Sequence, residues 1–258
     1  MPRTVGRIWL LWALLLLAAG AACGRDERTG EVLVLAAASL TEVMDEIGTG
    51  YEEATGIDVR FSYGGSDSLA AQIRNGAPAD AVVFAGAGPL DALEAGGFTV
   101  PGGRRSVAAN RLVVIAQASS GTALGSLAEL AAENSGKVAI ADPQLAPAGR
   151  YARAALEAAG VWDAVSPRLI PGLDVRNAAA AVTAGTAQFG FVYETDAAAM
   201  SGVKVVYVVP AELYPRILYP AAVVSASRNQ AQAGAFLEYL GGPRAREVFT
   251  RHGFQPVP

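Results

Sequence analysis

Four places in the chain put small or polar residues where an apolar run hands over to a helical one. Ser39-Leu40-Thr41-Glu42 has the spacing of a capping box. Gly64-Gly65-Ser66-Asp67-Ser68 is a glycine-rich turn that opens the next helix, and Pro147-Ala148-Gly149 opens a third. At Asp174-Val175 an aspartate stands as the N-cap of a fourth. Each helix start carries backbone N–H groups without intrahelical partners and a partial positive charge. A serine hydroxyl there can accept from the backbone and still donate its own proton outward. Converging starts of this kind bind an anion without lysine or arginine. The same pattern is also ordinary capping, which any α/β protein shows at the carboxyl ends of its strands, and the pattern alone does not separate the two.

The elements that would position these residues alternate. Near-continuous apolar runs predict buried strands over 32–37, 57–63, 81–85, 111–116, 138–141, 189–193, 203–209 and 217–224. Helical stretches lie between most of them, several ended by glycine, and two more close the chain at 231–240 and 244–252. The predicted fold class is α/β. No repeat or low-complexity linker separates domains, so any two lobes must be joined by crossing strands.

Composition excludes several function classes. Of 258 residues, 52% are hydrophobic and 17% charged, which rules out a disordered chain or a coiled coil. A net charge of -4 argues against nucleic acid as a partner. With one His and one Cys, no His/Cys metal centre is expected. A serine hydrolase built on Ser66, Asp67 and His252 lacks the GxSxG elbow, so no catalytic residue is assigned. Gly86-Ala87-Gly88 reads as a plain turn, because Asp91 stands where a dinucleotide-binding loop has its third glycine. Because the lone His lies in the tail, ligand affinity is expected to be flat near neutral pH.

Residues 1–22 read as a signal peptide: Arg3 and Arg7, a short apolar run, then small residues. Cys23 follows Ala21 and Ala22 as in a bacterial lipobox, with Gly20 where leucine is usual. It is the expected lipidation site, and residues 23–30 the tether of an extracytoplasmic, membrane-anchored protein.

Taken together, AAASLTEVMDEI from Ala36, GGSDSLAAQI from Gly64, GAPADAVVFA from Gly76, DPQLAPAGRYARAAL from Asp142, DVRNAAAAV from Asp174 and GFVYETDA from Gly190 carry a family likeness. The sequence resembles the periplasmic molybdate-binding proteins of ATP-binding-cassette (ABC) transporters over residues 31–256. The resemblance implies a two-lobed periplasmic-binding-protein fold of the second type, with mixed, mostly parallel sheets and hinge strands between the lobes. It places one lobe at 31–108 and 219–258 and the other at 109–218. It implies no cofactor and no metal beyond the bound oxyanion, molybdate or tungstate. The ligand-binding positions carry over as Ser39, Ser66, Ala148, Val175 and Tyr193, with Ala148 and Val175 acting through their backbones. The implied partners are a membrane permease and its ATPase, and a monomer is expected. Other tetrahedral oxyanions, sulfate or phosphate, are the alternative ligands. Asp67 departs from the family's small neutral residue. Its carboxylate is expected to turn along its own helix into solvent; otherwise it would be an acceptor selecting a protonated oxyanion. Arg150 and Arg176 are expected to be solvated or to bridge the lobes, and Tyr63 and Phe84 to belong to the core.

Overall fold

Strand β1 (Glu31–Ala37) shows why the strands read as apolar runs. Val32, Val34 and Ala36 join a cluster with Met44, Ile47 and Phe236, while Leu35 joins a second cluster with Leu69, Phe84 and Leu90. A strand covered on both faces has no polar side. The computed structural model describes residues 30–257, so the expected signal peptide, Cys23 and residues 23–29 of the tether lie outside the described residues. Among the described residues, no helix is long and apolar enough to cross a membrane.

Two five-stranded sheets form the framework, in the orders β2-β1-β3-β10-β4 and β7-β6-β8-β5-β9. The first contains β2 (Asp58–Gly64), β3 (Ala81–Val83), β4 (Arg105–Asn110) and β10 (Ile217–Val223) beside β1. The second contains β5 (Leu112–Gln117), β6 (Val138–Ala141), β7 (Leu169–Gly172), β8 (Phe189–Tyr193) and β9 (Val203–Val208). The chain crosses from the first sheet to the second between Asn110 and Leu112 and returns between Val208 and Ile217. The two-lobed α/β fold is therefore present, with sheets that are evenly mixed rather than mostly parallel. The antiparallel pairs all involve β5 or β10, the strands entered straight after each crossing.

The helices are α1 (Thr41–Thr55), α2 (Ser66–Arg74), α3 (Ala87–Ala95), α4 (Pro147–Ala158), α5 (Trp162–Val165), α6 (Val175–Thr183), α7 (Glu194–Ala199), α8 (Gln230–Leu240) and α9 (Pro243–Arg251). α1, α2, α4 and α6 follow β1, β2, β6 and β7, so their N-termini lie at the carboxyl ends of parallel strands, where open α/β sheets bind ligands. Two strands escape the apolar pattern: β4 has the sequence RSVAAN, and β7 is a four-residue edge strand containing Pro171. At Gly86 the chain does turn, with φ of 89°, but α3 begins at the next residue.

Candidate functional site

Ser39, Ser66, Ala148, Val175 and Tyr193 line one cavity between the sheets. It is small: the centre of a water-sized sphere can move through only about 10 Å³ of it. A space that small admits one compact group and no organic substrate.

Each residue is positioned by a local cause. Ser39 sits in a 3-10 turn, Ala38–Leu40, between β1 and α1 and is 3% exposed. The expected capping box is not formed: Leu40 occupies the cap of α1 and makes no side-chain bond. The tight turn gives the Ser39 hydroxyl to Tyr219 Oη at 3.1 Å, and Glu42 turns to Arg176. Ser66 is the first residue of α2, and its Oγ accepts from the Ala85 N–H at 3.0 Å. Ala148 lies in the first turn of α4, directly after Pro147, where backbone N–H groups have no partner within the helix. The next residue must be glycine, because a Cβ at Gly149 would overlap the Ala141 carbonyl oxygen. At α6 the Asp174 carboxylate accepts from the N–H of Arg176 at 2.8 Å and of Asn177 at 3.0 Å. It does not take the N–H of Val175, which lines the cavity.

Tyr193 ends β8 and is 1% exposed. Its Oη has no hydrogen-bond partner among the described residues. Burial pushes its phenol well above the usual range, so the group stays protonated and donates. Edge contacts with Tyr151 and Tyr219, at 6.4 and 6.1 Å between centroids, hold the ring.

The charges around the cavity are paired across it. Asp67 does not turn into solvent as expected; its Oδ2 accepts from Arg150 Nη1 at 2.7 Å. The reason is that the first turns of α2 and α4 face one another: Ser68 N–H donates to the Leu145 carbonyl at 3.2 Å. Arg176 makes a second bridge, donating to both Glu42 oxygens. Its Nε also lies 2.8 Å from Asp196 Oδ1. Both arginines thus bridge the lobes. Phe84 is fully buried, and Tyr63 donates to Asp45 Oδ1 at 2.6 Å away from the cavity. The hydrolase constellation is not assembled, because His252 pairs with Glu46 at 2.7 Å and Asp67 with Arg150. Among the described residues, no cluster of His, Cys, Asp or Glu could hold a metal ion.

Three further residues were not singled out from the sequence. Asp196 is fully buried, and burial pushes its carboxyl up to about 7 against the opposing pull of Arg176. Tyr219 and Asn110 lie behind Ser39. An acid inside the otherwise small-residue TDAAA stretch was the available signal for Asp196; Asn110 and Tyr219 lie in ANRLVVIA and LYPAAVV, two further stretches that share the family likeness.

The arrangement matches known proteins over almost the whole described chain. The family model for bacterial extracellular solute-binding proteins matches residues 32–255. Among curated relatives, the molybdate-binding protein ModA of Escherichia coli is 40% identical over 229 residues, covering 87% of this chain and 89% of the relative. Its counterpart in Haemophilus influenzae is 35% identical, covering 88% and 90%. Among solved structures, the periplasmic molybdate-binding protein of Azotobacter vinelandii superposes with a TM-score of 0.79 at 27% identity, covering 88% of this chain and 99% of that one. The chain belongs to the bacterial extracellular solute-binding proteins.

Proposed function

We propose that this protein is the extracytoplasmic substrate-binding component of an ABC transporter and that it captures molybdate, or tungstate, between its lobes. The observation that carries the reading is Tyr193: a buried phenol with an unpartnered hydroxyl, lining a small cavity with two serine hydroxyls and two helix N-termini. Molybdate and tungstate are fully deprotonated dianions, and each of their oxygens only accepts. Ser39 and Ser66 donate from the first lobe; the N–H groups of Ala148 and Val175 and the Tyr193 phenol donate from the second. Each contact is a hydrogen bond to a charged group, the stronger class. Among the described residues, no arginine or lysine lines the cavity. These five donors leave the proton of hydrogen phosphate unmatched, so it is disfavoured; the one carboxylate in the lining, Asp174, has its Oδ1 taken by the N–H groups of Arg176 and Asn177. Sulfate has no proton and is rejected by size, since its shorter oxygen spacing stretches several bonds together.

A ligand bonded to both lobes binds the closed form better than the open one and shifts the population toward closure. The permease, with its ATPase, then reads the closed shape. Lobes at 31–108 with 219–258 and at 109–218, swinging about the two chain crossings, account for the motion. Cys23 anchors the monomer to the membrane by lipid, and the signal peptide ends at residue 22. Titration calorimetry of the mature protein against molybdate, tungstate, sulfate and phosphate tests the function. Binding of the first two with the others much weaker is expected; no heat with either oxo-metalate would overturn the reading.

A further inference from the structure

The Ser39 hydroxyl ends a hydrogen-bond chain whose direction is fixed from its far end. The Arg111 backbone N–H donates to Asn110 Oδ1 at 2.8 Å. That bond orients the amide, so Nδ2, which can only donate, faces Thr195 Oγ1 at 2.9 Å and Tyr219 Oη at 3.1 Å. Tyr219 Oη accepts there, and its single proton goes to its other partner, Ser39 Oγ at 3.1 Å. Ser39 accepts on its protein side, and its own proton is what it presents to the cavity it lines. Ser39, Tyr219, Asn110 and Thr195 are 3%, 0%, 5% and 5% exposed, so bulk water does not compete for these bonds. Burial also keeps the Tyr219 phenol protonated.

We propose that Tyr219 is a specificity-determining positioning residue: by donating to Ser39 it makes Ser39 a donor to the ligand, and so closes the site to an oxyanion that carries a proton. This rests on the oxyanion reading of the cavity. Ser66 is set in the same sense by the Ala85 backbone N–H, which no side-chain replacement reverses. The Tyr219 relay can be cut or turned round.

Two variants do this. Tyr219→Phe removes the donor and keeps the ring that packs on Tyr193 and Phe254. The Ser39 Oγ is then released to accept from a protonated ligand. Asn110→Asp replaces the Nδ2 donor with a carboxylate oxygen, so that Tyr219 donates to residue 110 and Ser39 donates to Tyr219. Molybdate and hydrogen phosphate are both dianions, so the charge added in Asn110→Asp acts on both and cancels in their ratio. Calorimetry at slightly alkaline pH reads the affinities of sodium molybdate and inorganic phosphate for wild type and both variants. The relay predicts that Tyr219→Phe narrows the molybdate-to-phosphate ratio by about tenfold, the worth of one hydrogen bond to a charged group. Asn110→Asp narrows it at least as far. A ratio unchanged within about twofold in Tyr219→Phe, with wild type binding molybdate normally, overturns the relay and leaves the function standing. A wild type that binds no molybdate overturns the function and the relay with it. A folding failure of Asn110→Asp leaves the decision to Tyr219→Phe.

Discussion

Arg150 reaches across the cleft from the first turn of α4 and closes on Asp67, in the first turn of α2, at 2.7 Å. Asp67 directly follows Ser66, so this bridge neutralises a carboxylate that would otherwise oppose the bound anion. At ~6 Å and an effective dielectric of ~20 that opposition is about 5 kcal/mol. Asp67 and Arg150 are 24% and 40% exposed, and solvent screening reduces it to about 1–2 kcal/mol. Arg150→Ala is therefore expected to weaken molybdate binding by roughly tenfold, and Asp67→Asn added to it to recover most of the loss. Calorimetry on the single and double variants checks this; a double variant as weak as the single would show that charge is not the cause.

On the proposed reading, Ser39→Ala, Ser66→Ala and Tyr193→Phe each remove one donor to the charged ligand. Each is expected to weaken binding by about 1.5–3 kcal/mol. Tyr193→Phe differs from the serine variants in the unliganded protein. Its hydroxyl has no partner there, so the variant should melt no lower than wild type. Melting curves with and without molybdate separate the two effects, and unchanged affinity in all three variants would remove these residues from the site.

Gly65 is where the backbones of the two lobes meet. A Cβ there would stand 2.5 Å from the Leu145 carbonyl oxygen and 2.8 Å from that of Leu173. Gly65→Ala should prop the lobes apart without removing a ligand donor. Small-angle scattering of the variant with saturating molybdate is expected to give a larger radius of gyration than wild type. An identical radius would show that closure tolerates the methyl group.

Asp196 brings a titration near neutrality that the lone His does not. The charged and titratable groups facing it are Arg176, Glu42, Asp174, Tyr193 and Tyr219. Its carboxyl is raised from 3.8 to about 7, so between those values the folded protein holds a proton that the unfolded chain has lost. The stability from this group is full below 3.8 and is lost as pH rises through about 7. Melting temperatures of wild type relative to Asp196→Asn should fall across that window. A constant difference would mean that Asp196 does not titrate there. Anion binding favours the protonated form, so affinity should also decline above neutrality, in place of the flat profile expected from the sequence.

What was legible in the sequence was local. The helix starts at Ser66, Pro147 and Asp174 are set by neighbours in the chain, and β1 or β8 by their own apolar runs. What was not legible depends on residues far apart. Asp67 looks solvent-bound until Arg150, 83 residues later, is brought opposite it. The capping box at Ser39 fails because Tyr219, 180 residues away, claims the hydroxyl. Strand β4 lacks an apolar run because its pairing with β10, not its own pattern, makes it a strand.

The most direct test of a dianion held by neutral dipoles from both lobes is a crystal structure of the molybdate complex. The oxygens should lie within hydrogen-bond distance of the Ser39 and Ser66 hydroxyls, the Ala148 and Val175 N–H groups and the Tyr193 phenol. A lysine, an arginine or a metal ion in contact with those oxygens would contradict the account.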